Sequence, residues 1–186
     1  MSGVSSTWCR PAAIDWLLIL LVAFPAALAQ RVDEYPLKAA VLSNLANFVD
    51  WPAGAFTGPA APWVICILGD SPIRPVLERA AQVTLIDQRR FLIRPVSEAH
   101  QAKGCHLLFF SSAGRSRWRS VLGNFETPGV LTVGESDGFA DDGGMVNLKT
   151  EEVKIRIQVN LEAAQRGGFK FSSKLLSLAQ IVKNKE

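Results

Sequence analysis

The feature that most constrains the fold is a strict alternation of apolar and polar residues near the C-terminus. Because successive side chains of a strand point to opposite faces, such alternation predicts a strand with one buried and one solvated face. A shorter apolar run, residues 145–148, precedes it, and polar residues 150–152 separate the two, so the pair predicts a β-hairpin. The apolar members are Val153, Ile155, Ile157 and Val159, and the polar members are Lys154, Arg156, Gln158 and Asn160.

Paired glycines, Gly143 and Gly144, stand directly before this hairpin. Glycine permits backbone angles that a Cβ would forbid, so the pair predicts a structural turn or a bulge at the start of the first strand. The alternative is that a ligand or the backbone of a partner approaches closely at this point.

Helical patterns follow the hairpin. Residues 161–166 predict a short helix that Gly167-Gly168 ends, because glycine readily takes the left-handed cap position. Ser172 or Ser173 then caps a last helix, which we expect to pack on the sheet. Its apolar positions at helical spacing are Leu175, Leu178, Ala179 and Val182.

Upstream, helical patterns alternate with short apolar runs. A helix is predicted from about Asp33 or Glu34 to Trp51-Pro52, with Pro36 tolerated only in its first turn. This alternation predicts an α/β sandwich, in which helices flank a mixed parallel and antiparallel sheet. The strand candidates are residues 63–68, 91–94, 105–110 and 129–133, and helices are predicted at residues 72–81 and around Trp118.

Length and charge limit the class of protein. The 186 residues, 48% of them hydrophobic, are enough for one domain with a proper core and too few for two comfortable ones. The net charge is only +3, with 20 basic and 17 acidic side chains spread along the chain. Nucleic-acid binding is therefore not implied.

The N-terminus has the three parts of a secretory signal. Arg10 precedes an apolar run, residues 16–24, and small residues follow at 27–29. We expect cleavage after Ala29, which makes residues 1–29 a signal peptide and residues 30–186 a single domain that does not insert into the membrane. The alternative is an uncleaved anchor, although Pro25 interrupts the run before the ~20 residues that a spanning helix needs.

Two cysteines, Cys66 and Cys105, remain after that cleavage, because Cys9 leaves with the signal. An even count in an exported chain predicts a single disulfide. Their wide separation in the sequence differs from a Cys-x-x-Cys redox pair, so a structural bridge is preferred over catalysis.

No arrangement of catalytic or metal-binding residues stands out. His100 and His106 straddle the start of a predicted strand and do not form a helical or hairpin metal pair. Asp137, Asp141 and Asp142 cluster, but without the glycine and the closing glutamate of a calcium loop. No nucleophile elbow is present. The sequence therefore predicts a protein that is not an enzyme and uses no metal or cofactor.

Several blocks, in the same order along the chain, resemble the YfiR family. The resemblance implies an exported α/β protein of the periplasm, generally homodimeric, that represses an inner-membrane diguanylate cyclase. The blocks are residues 34–52, 66–70, 104–110 and 130–133, Phe-Ala-Asp-Asp-Gly-Gly-Met-Val-Asn at 139–147, and Ser-Ser-Lys-Leu-Leu-Ser-Leu-Ala at 172–179.

By this resemblance, the protein binds the periplasmic sensor domain of the cyclase, holds it inactive, and so lowers cyclic-di-GMP and regulates biofilm formation. As contact residues we predict Trp51, Phe56 and Trp63, around the loop of residues 53–62, together with Phe139. Core packing is the alternative for each. The rival function is a periplasmic module that binds a small ligand, with the loop of residues 134–144 as its lip.

Overall fold

A computed structural model describes residues 33–123, 125, 127–152 and 154–185. The predicted signal peptide, residues 1–29, and Val153 lie outside the described residues. All the elements below belong to one compact unit, Val32–Glu186. The helices are α1 (Glu34–Leu45), α2 (Ile73–Val83), α3 (Arg115–Gly123), α4 (Leu161–Arg166) and α5 (Ser173–Leu178).

The strands form one large mixed sheet and one small ribbon. The strands are β1 (Val49–Asp50), β2 (Trp63–Leu68), β3 (Phe91–Val96), β4 (Leu107–Phe110), β5 (Leu131–Gly134), β6 (Val146–Glu151), β7 (Lys154–Asn160), β8 (Lys170–Phe171) and β9 (Gln180–Val182). In the large sheet the order is β3-β2-β4-β5-β6-β7-β9, and the ribbon consists of β1 and β8. Strands β2 to β6 run parallel to one another, β7 is antiparallel to β6, and β9 is parallel to β7.

Alternate residues of the central strands are buried on opposite faces of the sheet. Ile65 and Ile67 belong to one apolar cluster, to which α1, α2, α4 and α5 contribute, and we call this side the large face. Cys66 belongs to a second cluster, to which α3 contributes Trp118, and we call this side the small face. Helices therefore flank a mixed sheet on both sides, which confirms the predicted α/β sandwich.

The beginning of α1 follows from local chemistry. The Asp33 side chain accepts a hydrogen bond from the Tyr35 N–H at 3.2 Å and caps the helix. Pro36 lies in the first turn, where its missing N–H costs nothing. The helix ends at Leu45, earlier than predicted, because a 3-10 turn and β1 follow and β1 pairs with β8.

The predicted hairpin is present as β6 and β7. Val146 pairs with Val159 and Glu151 with Lys154, and Glu152 takes a φ of +56° in the turn between them. Val159 is buried. The alternation thus places one row of β7 side chains on the large face.

The prediction of a last helix that reaches Val182 is wrong. Ser172 caps α5 through its Oγ atom, which accepts from the Leu175 N–H at 3.3 Å, but the helix ends at Leu178. The chain then extends as β9, and Ile181 pairs with Val159 of β7. The backbone groups of β7 find partners in this way, which helical spacing alone does not reveal.

Candidate partner-binding surface

An aromatic cluster lies beneath the loop of residues 53–62. The ring of Trp51 meets those of Trp63 and Phe169 edge-on, with centroids 5.3 Å apart in each case, and that of Phe56 at 6.1 Å. Trp63 is only 1% exposed, whereas Trp51 and Phe56 are half-buried. The cluster therefore shows solvent a small part of two aromatic rings.

His106 fixes this cluster to the sheet. Its Nδ1 atom accepts a hydrogen bond from the Val64 N–H at 3.0 Å, and its ring stacks on Phe56 with centroids 4.3 Å apart. Burial lowers the pKa of His106; a hydrogen bond to the backbone of Ala55 opposes this change, and the cation of Arg89 adds to it. The histidine thus serves the loop as a neutral hydrogen-bonding group.

Arg89 holds the loop of residues 53–62 by hydrogen bonds. Its Nη1 atom donates to the carbonyls of Gly58, at 2.8 Å, and Ala61, at 2.9 Å. Its guanidinium also lies 4.4 Å from the centroid of the Phe56 ring. The preceding turn holds Asp87 and Gln88 at φ values of +48° and +60°, a conformation that few side chains adopt.

Neither Arg89 nor His106 was among the contact residues predicted from the sequence. A usable signal lies in the parallel strands, because Trp63 of β2 pairs with Phe91 of β3. Residues just before two parallel neighbours lie at the same edge of the sheet, and this places Arg89 beside the loop that precedes β2. The position of Arg89 could not be predicted because the sequence shows no motif that makes β2 and β3 neighbours in the sheet.

A recess of about 270 Å³ lies beside the cluster. Aromatic rings and polar groups share its wall. The indole N–H of Trp63, which belongs to this wall, has no hydrogen-bond partner among the described residues. The wall includes Trp51, Phe56, Trp63, Asp87 and Arg89.

Phe139 lies on the small face and is fully buried. Its ring packs 5.1 Å from that of Phe110 and 5.3 Å from that of Trp118. A Cβ built on Gly134 or Gly144 would overlap the Phe139 ring, so both glycines are needed to admit it.

Burial corrects two of the predicted contact residues. Trp63 and Phe139 have essentially no exposed surface, so they cannot touch a partner unless the fold opens. Trp63 belongs to the buried cluster of the large face, and Phe139 belongs to that of the small face. Trp51 and Phe56 keep exposed area and stay as predicted contacts.

Gly143 and Gly144 lie in the turn that closes around Phe139. Gly143 takes a φ of +104°, and the N–H of Gly144 donates to the Phe139 carbonyl at 2.9 Å. The amide of Asn160 pins the same loop by donating to the Ala140 carbonyl at 2.7 Å. The group that approaches Gly144 closely is a side chain of this loop, and a loop held in this way is a poor lip for a ligand site.

The structure joins Cys66 to Cys105 by a disulfide, with Cα atoms 5.8 Å apart. Arg94 covers it: Nε lies 3.3 Å from the Cys66 sulfur and Nη2 lies 2.9 Å from the Cys105 sulfur. Nη2 also donates to the Lys103 carbonyl at 2.8 Å. The bridge is buried on the small face and links β2 to Cys105, two residues before the start of β4.

A buried ion pair ties α1 to the loop after β5. Lys38 Nζ lies 2.7 Å from Glu135 Oε2, and the two side chains are 3% and 1% exposed. The second Glu135 oxygen accepts from the Ser112 N–H at 2.9 Å. Because each charge is paired and hydrogen-bonded, the pair fixes the position of the helix.

Within the described residues, no group of three or more His, Cys, Asp or Glu side chains is placed to hold a metal ion. Across the same part of the chain, no helix is both long and apolar enough to cross a membrane. The features that distinguish this surface are therefore its aromatic rings and the recess.

Solved structures with the same fold are distant in sequence. An ABC domain from Streptococcus pneumonia, in complex with L-Trp, matches with a TM-score of 0.50 and 10% identity over 80% of this chain. A conserved domain protein from Vibrio cholerae matches with a TM-score of 0.50 and 11% identity over 81% of this chain. This chain spans 60% of the length of each. At such identities the matches show the fold alone.

The sequence itself gives the more specific match. The family model DUF4154, described as YfiR/HmsC-like, matches residues 35–180. That range runs from the first turn of α1 to the start of β9 and includes the aromatic cluster, the disulfide and the Phe139 loop. The chain therefore belongs to the YfiR/HmsC-like family.

Proposed function

We propose that this protein is a periplasmic repressor that binds the sensor domain of an inner-membrane diguanylate cyclase and lowers cyclic-di-GMP. The observation that carries the proposal is the family match over residues 35–180. The family is regulatory and periplasmic, and membership in it supports a role as a regulator of a diguanylate cyclase. The identity of the partner and the mode of repression are the proposed part.

A protein of this kind acts by preferring one state of its partner. It shifts the cyclase only if it binds the inactive conformation of the sensor domain more tightly than the active one, since equal affinity shifts nothing. Repression therefore requires a contact surface that senses the shape of the partner. We also propose that the protein acts as a homodimer, which sedimentation of the purified protein tests directly.

We assign the contact to the exposed part of the aromatic cluster. Trp51 and Phe56 are aromatic side chains with partial exposure, and aromatic and arginine side chains are the commonest anchors of protein interfaces. Arg89, stacked on Phe56, adds a cation at the same place. His106 stacks on Phe56, and Arg89 donates hydrogen bonds to two carbonyls of the loop, so these anchors are ordered before binding.

The test has a genetic and a binding arm. Deletion is expected to raise cyclic-di-GMP, and restoration of the gene is expected to reverse this only when residues 1–29 are kept. Phe56→Ala is expected to weaken binding of the purified sensor domain by about tenfold. Val83→Ala is the matched control, because Val83 is 86% exposed and lies outside the cluster. Unchanged cyclic-di-GMP in the deletion strain contradicts the proposal.

A second function is favoured by the recess beside the cluster. Its aromatic wall and the polar groups of Asp87 and Arg89 suit a small ligand with an apolar body and a polar end. A ligand-dependent rise in melting temperature that Phe56→Ala abolishes, in a protein with no affinity for the sensor domain, favours this function over repression.

A further inference from the structure

A second cavity, an apolar groove, lies between α1, β7 and α5. Its volume is about 390 Å³, and most of its wall is apolar. Leu178 is 72% exposed and Leu37 is 44% exposed, and both belong to this one groove instead of lying singly on the surface. The residues that form it include Leu37, Val41, Phe48, Ile157, Leu175 and Leu178.

The apolar surface continues to the edge of the sheet. Ile181 of β9 pairs with Val159 of β7, and paired residues point to the same face. Val159 is on the large face, together with Ile157 two residues earlier. Ile181 is 46% exposed, so the groove and the edge strand share one apolar strip.

The charge beside the groove is positive. Lys174 lies in its wall, with Nζ 5.6 Å from the centroid of the Phe48 ring, and no carboxylate pairs with it among the described residues. Lys183 follows the edge strand and is also exposed. Two copies docked through this strip would bring like charges together, whereas a segment with carboxylates on its flank would complement them.

We propose that this groove binds an amphipathic helix of a partner protein, with two or three aliphatic anchors in the groove and a carboxylate against Lys174. The inference rests on the proposed function, in which the partner is the cyclase sensor domain. A groove between two helices with an apolar floor takes an amphipathic helix through anchors spaced one turn apart. The volume of about 390 Å³ lies near the lower end of the range for ligand pockets, which suits a few side chains of a partner.

The binding test uses the full mature chain and designed probes. One fluorescein-labelled peptide of about four helical turns carries leucines at helical spacing and glutamates on the flanks, and its twin carries lysines instead. The glutamate peptide is expected to bind at least about tenfold more tightly than the lysine peptide, and Lys174→Glu is expected to reverse that order. Leu178→Asp is expected to remove binding of both, while Val83→Asp, at an exposed residue beside the other edge of the sheet, leaves it unchanged.

The outcomes separate this inference from the proposed function. If the sensor domain binds the wild-type protein and the Leu178→Asp variant equally well, the groove inference is overturned and the proposed function stands. If the sensor domain does not bind at all, the proposed function fails, and the groove inference is then tested by the two peptides alone. Equal binding of the glutamate and lysine peptides overturns the groove inference.

Two other occupants are tested in the same way. Dimerisation that Leu178→Asp abolishes, measured by sedimentation, assigns the strip to a second copy and overturns the inference. Binding to vesicles of equal parts phosphatidylglycerol and phosphatidylethanolamine, lost in Leu178→Asp, assigns it to a lipid surface and also overturns it. If Leu178→Asp changes neither dimerisation nor vesicle binding, and the wild-type protein binds the glutamate peptide, the result supports the proposed helix.

Discussion

The two faces of the seven-stranded sheet are buried by different means. Among the described residues, the large face holds 21 buried apolar side chains and the small face holds nine. The large face is covered by α1, α2, α4 and α5, and the small face has α3 as its helix. The small face has fewer buried apolar side chains, but it contains a disulfide and a phenylalanine that packs directly against two glycines.

This difference teaches where the protein is sensitive to change. A large cluster loses one contact among many when a side chain is trimmed, and its neighbours relax into part of the gap. On the small face, Phe139 fills a space that Gly134 and Gly144 cannot fill themselves. Single changes there should act on the whole face, and they provide the means to test the comparison.

The largest effect is expected for Phe139→Ala, which empties that space. The expected cost is about 3–5 kcal/mol of unfolding free energy, measured by urea denaturation. Phe109→Ala is the matched control on the large face, since Phe109 is also fully buried. Amide exchange should accelerate around residues 134–144 in the first variant and not in the second. Equal acceleration of that loop in both would break the comparison.

Removal of the disulfide comes next. The bridge closes a segment with a sequence separation of 39, for which loop-closure entropy gives roughly 4 kcal/mol before any native-state strain. The Cys66→Ala, Cys105→Ala double variant should therefore unfold at lower urea concentration. Alkylation of the wild-type protein with and without reductant supplies the control. Two free thiols in protein purified from the periplasm would contradict a stabilising role of the disulfide.

Gly144→Ala should cost less, about 1–3 kcal/mol, because it overpacks the ring instead of deleting it. A methyl group there overlaps the Phe139 ring, and the backbone has to shift. In the Phe139→Leu background the same change should cost less, since the smaller side chain leaves room for the methyl. The double-mutant cycle measures that difference. Strict additivity would show that the glycine has another role.

The smallest expected effect is a decrease in stability at acidic pH. Burial lowers the pKa of His106, which lies on the side of the aromatic cluster, so the unfolded chain binds a proton first as pH falls below its ordinary value of 6.5. Stability should decrease through that range and level off below the lowered pKa. His106→Gln should flatten the profile, and His100→Gln, at a side chain that is 73% exposed, should leave it in place. Melting temperatures measured in matched buffers check this.

Sequence periodicity predicted most of the architecture. The hairpin, α4 and the buried runs of β2 and β4 all came from alternation or from apolar runs bounded by Gly and Pro. The end of α5 did not, because β9 forms to satisfy the backbone of β7, and that is a property of the sheet rather than of the segment. The ribbon of β1 and β8 was not predicted either, because each strand contributes only two residues, which is too short for an alternating pattern.

The candidate site was predicted less completely. Aromatic residues near a Pro- and Gly-rich loop pointed to Trp51 and Phe56, but spacing does not tell an exposed ring from a buried one, and Trp63 and Phe139 are buried. The groove was not predicted at all. Its walls come from α1, β7 and α5, segments brought together only by the order of strands in the sheet.

The Cys66–Cys105 bridge has a consequence for survival among proteases. The segment between the two cysteines contains α2, the exposed residues Val83 and Leu85, and the edge strand β3. A cut at this exposed connection leaves two fragments that remain covalently joined, with β2 still beside β4. Such a nicked protein would run as one species without reductant and as two with it, and it would keep its aromatic cluster and its groove.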